Sequence, residues 1–247
     1  ILVIRTMFRS MGRSFRSGGM KGFNEMSVAQ IEIEIISDLV CPWCYLGQRR
    51  LQLALEQVQD EVVADISWKP YQLEPGTPPE GLDAQQYLQD KMGSADAVTR
   101  AFDMITQLAE EVDLPMQLEK ATRLPNTLDA HRVIHWAGLV DADTQDRVAR
   151  GILQANFVEG LDVGDTATLG RVAADCGMDS ALVEHKLASD EDRSVVLSEI
   201  EHAQRIGVTG VPCYIIDRKY AITGAQSVDV FVNALRQIAE SKRAAAE

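Results

Sequence analysis

The 247-residue chain has only four cysteines, no long apolar run and little positive charge over most of its length. Each shortage excludes something. Four cysteines (Cys41, Cys44, Cys176 and Cys213) are too few to staple a secreted disulfide scaffold. No window approaches the roughly 18 consecutive apolar residues of a membrane-spanning helix, so no membrane partner is expected. The formal net charge is −13, and residues 1–25 hold five basic side chains against one acid, which leaves −17 over the remainder. So acidic a body argues against phosphate-backbone binding, which rests on Lys and Arg, and nucleic acid is not an expected partner. Metal ligands are also short. Cys176 and Cys213 stand alone, and His131 and His135 sit one helical turn apart but in no HExxH pattern. A structural zinc needs four ligands, often as two cysteine pairs, so no metal is expected.

Residues 1–29 are expected to be a disordered or non-native leader. The segment is rich in Arg, Ser, Gly and Met and lacks the apolar stretch of about 7–15 residues that a secretory signal requires. It loosely matches an organelle transit peptide in composition. The plainer expectation is an extended reading frame or added leader ahead of a start near Met20 or Met26. Without a secretory signal, the expected location is cytoplasmic and the expected resting state of the thiols is reduced.

What remains is ordinary globular material, with 46% apolar and 25% charged residues. Its length suits one domain plus a sizeable insertion. Residues 31–37 read as a strand, 46–60 as an amphipathic helix, and 64–69 as a second strand ended by Pro70. A loop follows over 74–81. Helical periodicity then predicts helices over 83–92, 95–112, 127–141, 144–160, 166–176, 179–188 and 191–206, with no strand between them. Strands return at 212–216 and 220–223, joined tightly through Asp217-Arg218-Lys219, and a last helix runs from an N-cap at Ser227 to about Ala239. Strands flanking a helical excursion must share one sheet, so the chain ends build one α/β domain.

Two features carry chemistry. Cys41-Pro42-Trp43-Cys44 lies at the junction of the first strand and first helix. There Cys41 faces the helix's unpaired N–H groups, which favour a thiolate. Disulfide exchange needs one exposed thiolate of lowered pKa and one recessed thiol a turn away, roles that fit Cys41 as nucleophile and Cys44 as resolving thiol. The second feature is Gly207-Val208-Thr209-Gly210-Val211-Pro212, a tight turn into an X-Pro bond, where a cis peptide is accessible. Such a loop can present the backbone of Val211 to a peptide or thiol beside Cys41.

These segments, together with Ser37-Asp38, Trp68-Lys69-Pro70-Tyr71 and Asn126-Thr127-x-x-Ala130-His131-Arg132, resemble the DsbA-like thioredoxin superfamily. Within it the chain is most similar to FrnE-type dithiol–disulfide oxidoreductases. The resemblance implies an α/β thioredoxin fold over 30–82 and 207–241 with an all-helical insertion over 83–206. It implies catalytic Cys41, Cys44 and cis-Pro212. Pro42, Trp43, Val211, Asn126 and His131 become candidates for substrate binding, and Asp38 a candidate for proton transfer or, more simply, a solvated charge near the helix start. No bound cofactor is implied, although glutathione is a candidate co-substrate. The expected partner is a thiol- or disulfide-bearing protein or small molecule, and a homodimer is an allowed assembly. Three positions depart from the pattern. Ile35 occupies the place of a buried acid, and Trp43 stands where the periplasmic oxidant has His, which predicts a weaker oxidant. Cys213 follows the proline and reads as a small buried residue. The superfamily also holds kappa-class glutathione transferases and 2-hydroxychromene-2-carboxylate isomerases, which typically have Ser in place of Cys41. A glutathione-dependent enzyme is therefore one alternative, and a thiol-bearing polypeptide-binding chaperone another.

Overall fold

The structure, a computed structural model, describes residues 28–246. The leader expected over 1–29 falls outside the described residues up to Ser27, and Ala29 already opens the first strand. That strand, β1 (Ala29–Ser37), alternates Ile31, Ile33 and Ile35 inward with Glu32 and Glu34 outward, the period-2 pattern of a pleated strand. After the loop 38–41 come α1 (Pro42–Gln57) and β2 (Val62–Pro70). Helix α1 begins four residues earlier than its apolar periodicity predicts. Pro42 fills the first helical position, where its missing N–H costs nothing, and Cys41 is the N-cap.

The middle of the chain holds α2 (Ala84–Met92), α3 (Ala95–Glu110), α4 (Leu128–Val140), α5 (Ala142–Gln154), α6 (Thr166–Asp175), α7 (Ser180–Leu187) and α8 (Arg193–Arg205). Two expectations need correction here. The region is not strand-free, because two-residue strands β3 (Leu82–Asp83) and β4 (Arg123–Leu124) pair antiparallel. Helix 144–160 is also not one helix. After α5 the chain widens into a π-helical turn, Ala155–Glu159, which stops at Gly160 with φ +71°. Gly207, with φ +91°, ends the turn after α8 in the left-handed region that favours glycine.

Strands β5 (Cys213–Ile216) and β6 (Tyr220–Thr223) and helix α9 (Val228–Ala246) complete the chain. Asp217 and Arg218 both have positive φ, 49° and 53°, which gives the hairpin a primed turn matched to strand twist. The last helix runs beyond the predicted Ala239, and Ser227 Oγ accepts from Val230 N–H at its start.

One sheet orders the strands β2-β1-β5-β6. Strand β1 pairs parallel with β2 and antiparallel with β5. The first and last segments of the chain thus meet at its centre. The main apolar cluster joins Ile31, Ile33 and Ile35 to Leu46 and Leu51 of α1 and to Phe231 and Leu235 of α9. A smaller cluster on the opposite face holds Ile36, Tyr71, Ala203, Val208, Cys213 and Ile215. The sheet order therefore places the mouth of α1 beside the loop that leads into β5.

Candidate active site

Cys41 and Cys44 are free thiols at the start of α1. The Cys44 N–H donates to the Cys41 carbonyl at 2.9 Å, which closes the first turn. Cys44 is 1% exposed, and burial pushes its thiol well above the usual range. The adjacent Cys41 adds to that shift, while Ser37 and the backbone of Asp38 oppose it. Cys41 differs from expectation because it is only 4% exposed rather than open to solvent. Half-buried Pro42 and Trp43 stand at the surface in its place.

What covers Cys41 is the predicted loop. The Val211–Pro212 peptide is cis, and the Cys41 thiol donates to the Val211 carbonyl at 3.7 Å across 170 positions of sequence. The Pro212 carbonyl accepts from Gly224 N–H at 2.8 Å, which anchors the loop to the far end of β6. Cys213 points into the smaller cluster on the opposite face, and burial raises its thiol.

The short loop 38–41 is pinned from several sides. Asp38 is 1% exposed, which corrects the expectation of a solvated charge. Its Oδ1 accepts from Leu39 N–H and its Oδ2 from Leu73 N–H, both at 2.7 Å. Its own carbonyl accepts from Cys41 N–H at 3.2 Å. The carboxyl oxygens thus hold backbone, and the hydrogen bond between Cys41 and Asp38 is main-chain.

His131 is buried, and Asn126, just before α4, is half-buried. His131 is 4% exposed, its Nε2 donates to Tyr71 O at 2.9 Å, and the same nitrogen stands 3.8 Å from Asp38 Oδ1. Asn126 Nδ2 donates to Thr77 O, while its Oδ1 accepts from Gln72 Nε2 and Leu128 N–H. Both side chains tie the 71–77 segment to the start of α4.

Sequence reasoning missed three residues. Asn156, buried in the π-helical turn, donates to Leu39 O at 2.9 Å, so both ends of the Leu39 residue are held by side chains. Such turns commonly mark functional positions, but an unbroken helical period gave no sign of it. Ser37 and Tyr214 lie behind the thiol pair with buried hydroxyls that have no hydrogen-bond partner among the described residues. Among the described residues, no group of three or more His, Cys, Asp or Glu side chains is placed to hold a metal ion, and no helix is long and apolar enough to cross a membrane.

A thiol pair at a helix start, facing a cis-proline loop from the neighbouring strand, defines a thioredoxin-like protein whose sheet is interrupted by a helical excursion. The chain belongs to the DSBA-like thioredoxin domain family, whose sequence model matches residues 32–236. It is 26% identical over 211 residues to the uncharacterized protein YwbO of Bacillus subtilis (strain 168), covering 83% of this chain and 96% of that one. The crystal structure of a probable DsbA oxidoreductase from Streptomyces coelicolor superposes with TM-score 0.74 at 29% identity, covering 84% of this chain and 89% of that chain. A 2-hydroxychromene-2-carboxylate isomerase shares the fold, with TM-score 0.69 at 14% identity over 87% of this chain and all (100%) of that chain.

Proposed function

We propose that this chain is a thiol–disulfide oxidoreductase or isomerase that exchanges disulfides through Cys41 and Cys44. The observation that carries this reading is the 3.7 Å approach of the Cys41 thiol to the Val211 carbonyl. It supports Cys41 as the nucleophile by setting it beside backbone that an extended substrate can meet, while its position at the helix start, where N–H dipoles favour an anion, supports the same role. Cys41 attacks a substrate disulfide to give a mixed disulfide, and Cys44 resolves it. The substrate is a protein or small molecule bearing a thiol or disulfide, glutathione serves as co-substrate, and the setting is reducing and cytoplasmic. Trp43 brings no positive charge to the pair, so the protein is a weaker oxidant than one with His there.

Insulin reduction by wild type and by Cys41→Ser tests the proposal. Loss of the nucleophile should cut turnover by at least about 1,000-fold, the usual scale for a missing covalent catalyst. Equal activity in both proteins would sink the dithiol reading. The intact pair weighs against a glutathione-dependent isomerase, and turnover of 2-hydroxychromene-2-carboxylate that survives Cys41→Ser would reverse that judgement. The potential of the pair measured against glutathione then assigns direction, with a value well above the glutathione poise marking an oxidant or isomerase.

A further inference from the structure

Cys44 must react as a thiolate to close a disulfide onto Cys41, yet burial holds its thiol well above the ordinary range. Ile35 brings no acid beneath the pair, and the Asp38 carboxyl is engaged by Leu39 and Leu73. What lies there instead is two hydroxyls. Ser37 continues the row Ile31, Ile33, Ile35 on the strand face that packs against α1. Tyr214 stands directly opposite Ile35 in β5, so its side chain emerges on that same face. Among the described residues neither buried hydroxyl makes a hydrogen bond of ordinary geometry, which is uncommon enough in a folded protein to require a reason.

Their positions supply one. Ser37 lies near Cys44 and acts to lower its thiol against the effect of burial. The Tyr214 hydroxyl fills the space left by the missing side chain of Gly47. A Cβ there would collide with it and would also lie 3.0 Å from Pro212 Cγ. Gly47 is one helical turn beyond Cys44, and such positions share a face about 5–6 Å apart. The phenol therefore stands under the turn that carries the resolving thiol. Burial, followed by the charges of Cys44 and Cys41, pushes the phenol well above its usual range, with Arg50 opposing. A phenol that stays neutral is a hydrogen-bond donor.

We propose that the Ser37 and Tyr214 hydroxyls form a two-donor cradle for the Cys44 thiolate, taking the place of a buried acid. The proposal rests on the dithiol reading above. In the resolving step the Cys44 thiolate attacks Sγ of Cys41 in the mixed disulfide. The Cys41–Cys44 bond forms and the bond from Cys41 to the substrate sulfur breaks. That sulfur leaves with the electron pair and accepts the proton that Cys44 released. The protein pair is thereby oxidised and the substrate disulfide reduced, and both hydroxyls keep their protons. Besides each other, the titratable or charged groups around them include Cys41, Asp38, Arg50 and Cys213, and on the Ser37 side His131, Lys69, His135 and Glu199, which line a small cavity with it.

The test uses the full chain with oxidised glutathione as probe, in wild type, Tyr214→Phe and Ser37→Ala. Tyr214→Phe removes one oxygen and no existing hydrogen bond, so the melting temperature should hold or rise. Quenched single turnovers read by mass spectrometry should show Cys41 attacking at the wild-type rate and the Cys41–glutathione intermediate accumulating. Resolution should slow about tenfold, the equivalent of one lost pKa unit of thiolate stabilisation. In a Cys41→Ser background, thiolate ultraviolet absorbance should place the Cys44 midpoint about one unit higher once Tyr214 is Phe. Unchanged resolution and an unchanged midpoint in both variants overturn the cradle. A wild type that exchanges no disulfide overturns the functional reading instead, and the Cys44 titration still decides the cradle.

Discussion

The two ends of the chain and the helical stretch between them serve the site in different ways. In the proposed exchange the ends supply the reacting groups. Cys41 and Cys44 come from the β1–α1 junction and Val211–Pro212 from the entry to β5, brought together by pairing of β1 with β5. The middle supplies no reacting group but fastens the loop that carries Cys41. Asn156 grips Leu39 from one side, and His131 holds Tyr71 while standing against Asp38. Chemistry is local to a strand–helix junction, whereas the loop that carries it is held by residues 93 and 117 positions away in sequence.

Substitutions in the two regions break or sharpen that contrast. The largest loss is expected from Asp38→Ala in the first region. It strands the buried Leu39 N–H and the part-buried Leu73 N–H, each worth about 1–3 kcal/mol when fully unsatisfied, so chemical denaturation should register a fall of about 2–4 kcal/mol. A change under 1 kcal/mol would mean that the carboxyl is not what holds the loop. Asn156→Ala in the middle region leaves one buried carbonyl unpaired, at about 1–3 kcal/mol. It should also slow insulin reduction while leaving every reacting group in place. Stability lost with turnover intact would separate the middle region from the chemistry. Next comes pH. The folded Cys44 pKa is raised, so its stabilising contribution is complete below the unfolded thiol value of about 8.5 and is lost as pH rises through the folded value. Melting of the reduced protein should therefore weaken above about pH 8.5, by up to about 1.4 kcal/mol per pH unit for this group. Cys44→Ala should flatten that decline in part, since Cys213 and Tyr214 shift in the same direction. The smallest effect is expected from Cys213→Ala, whose side chain faces the opposite side of the sheet. Insulin turnover should stay within about twofold of wild type, as for a buried packing residue outside the site. A larger drop would bring a third thiol into the reaction.

Much of this was legible in the sequence because it is written in short-range patterns. Alternation at Ile31, Ile33 and Ile35 marks β1, and a Cys-x-x-Cys between that strand and an apolar helical period marks the site. The start of α1 was less legible, since Cys41 to Cys44 have no apolar period of their own and Pro42 is usable in a first turn. The π-helical turn was illegible, because adding one residue to a turn leaves the surrounding period nearly intact. Burial of Asp38 could not be read either. It looks like an ordinary polar residue until Leu73 and the neighbouring His131 close around it. Tyr214 reads as a β-former in a strand, and its meaning depends on its register with Ile35, well over a hundred residues earlier.

Gly47 leaves a mark that can be sought without a purified protein. A methyl group at position 47 and a hydroxyl at position 214 compete for one volume, so the two positions are not free to drift independently. Substitutions there should be strongly non-additive, as for residues in direct contact. Among relatives that keep the paired thiols, a larger residue at 47 should travel with loss of the oxygen at 214. Lineages that gave up the second thiol have no such reason to preserve either one. The packing of one helix on one sheet thus becomes a correlated signature, readable from diverged sequences alone.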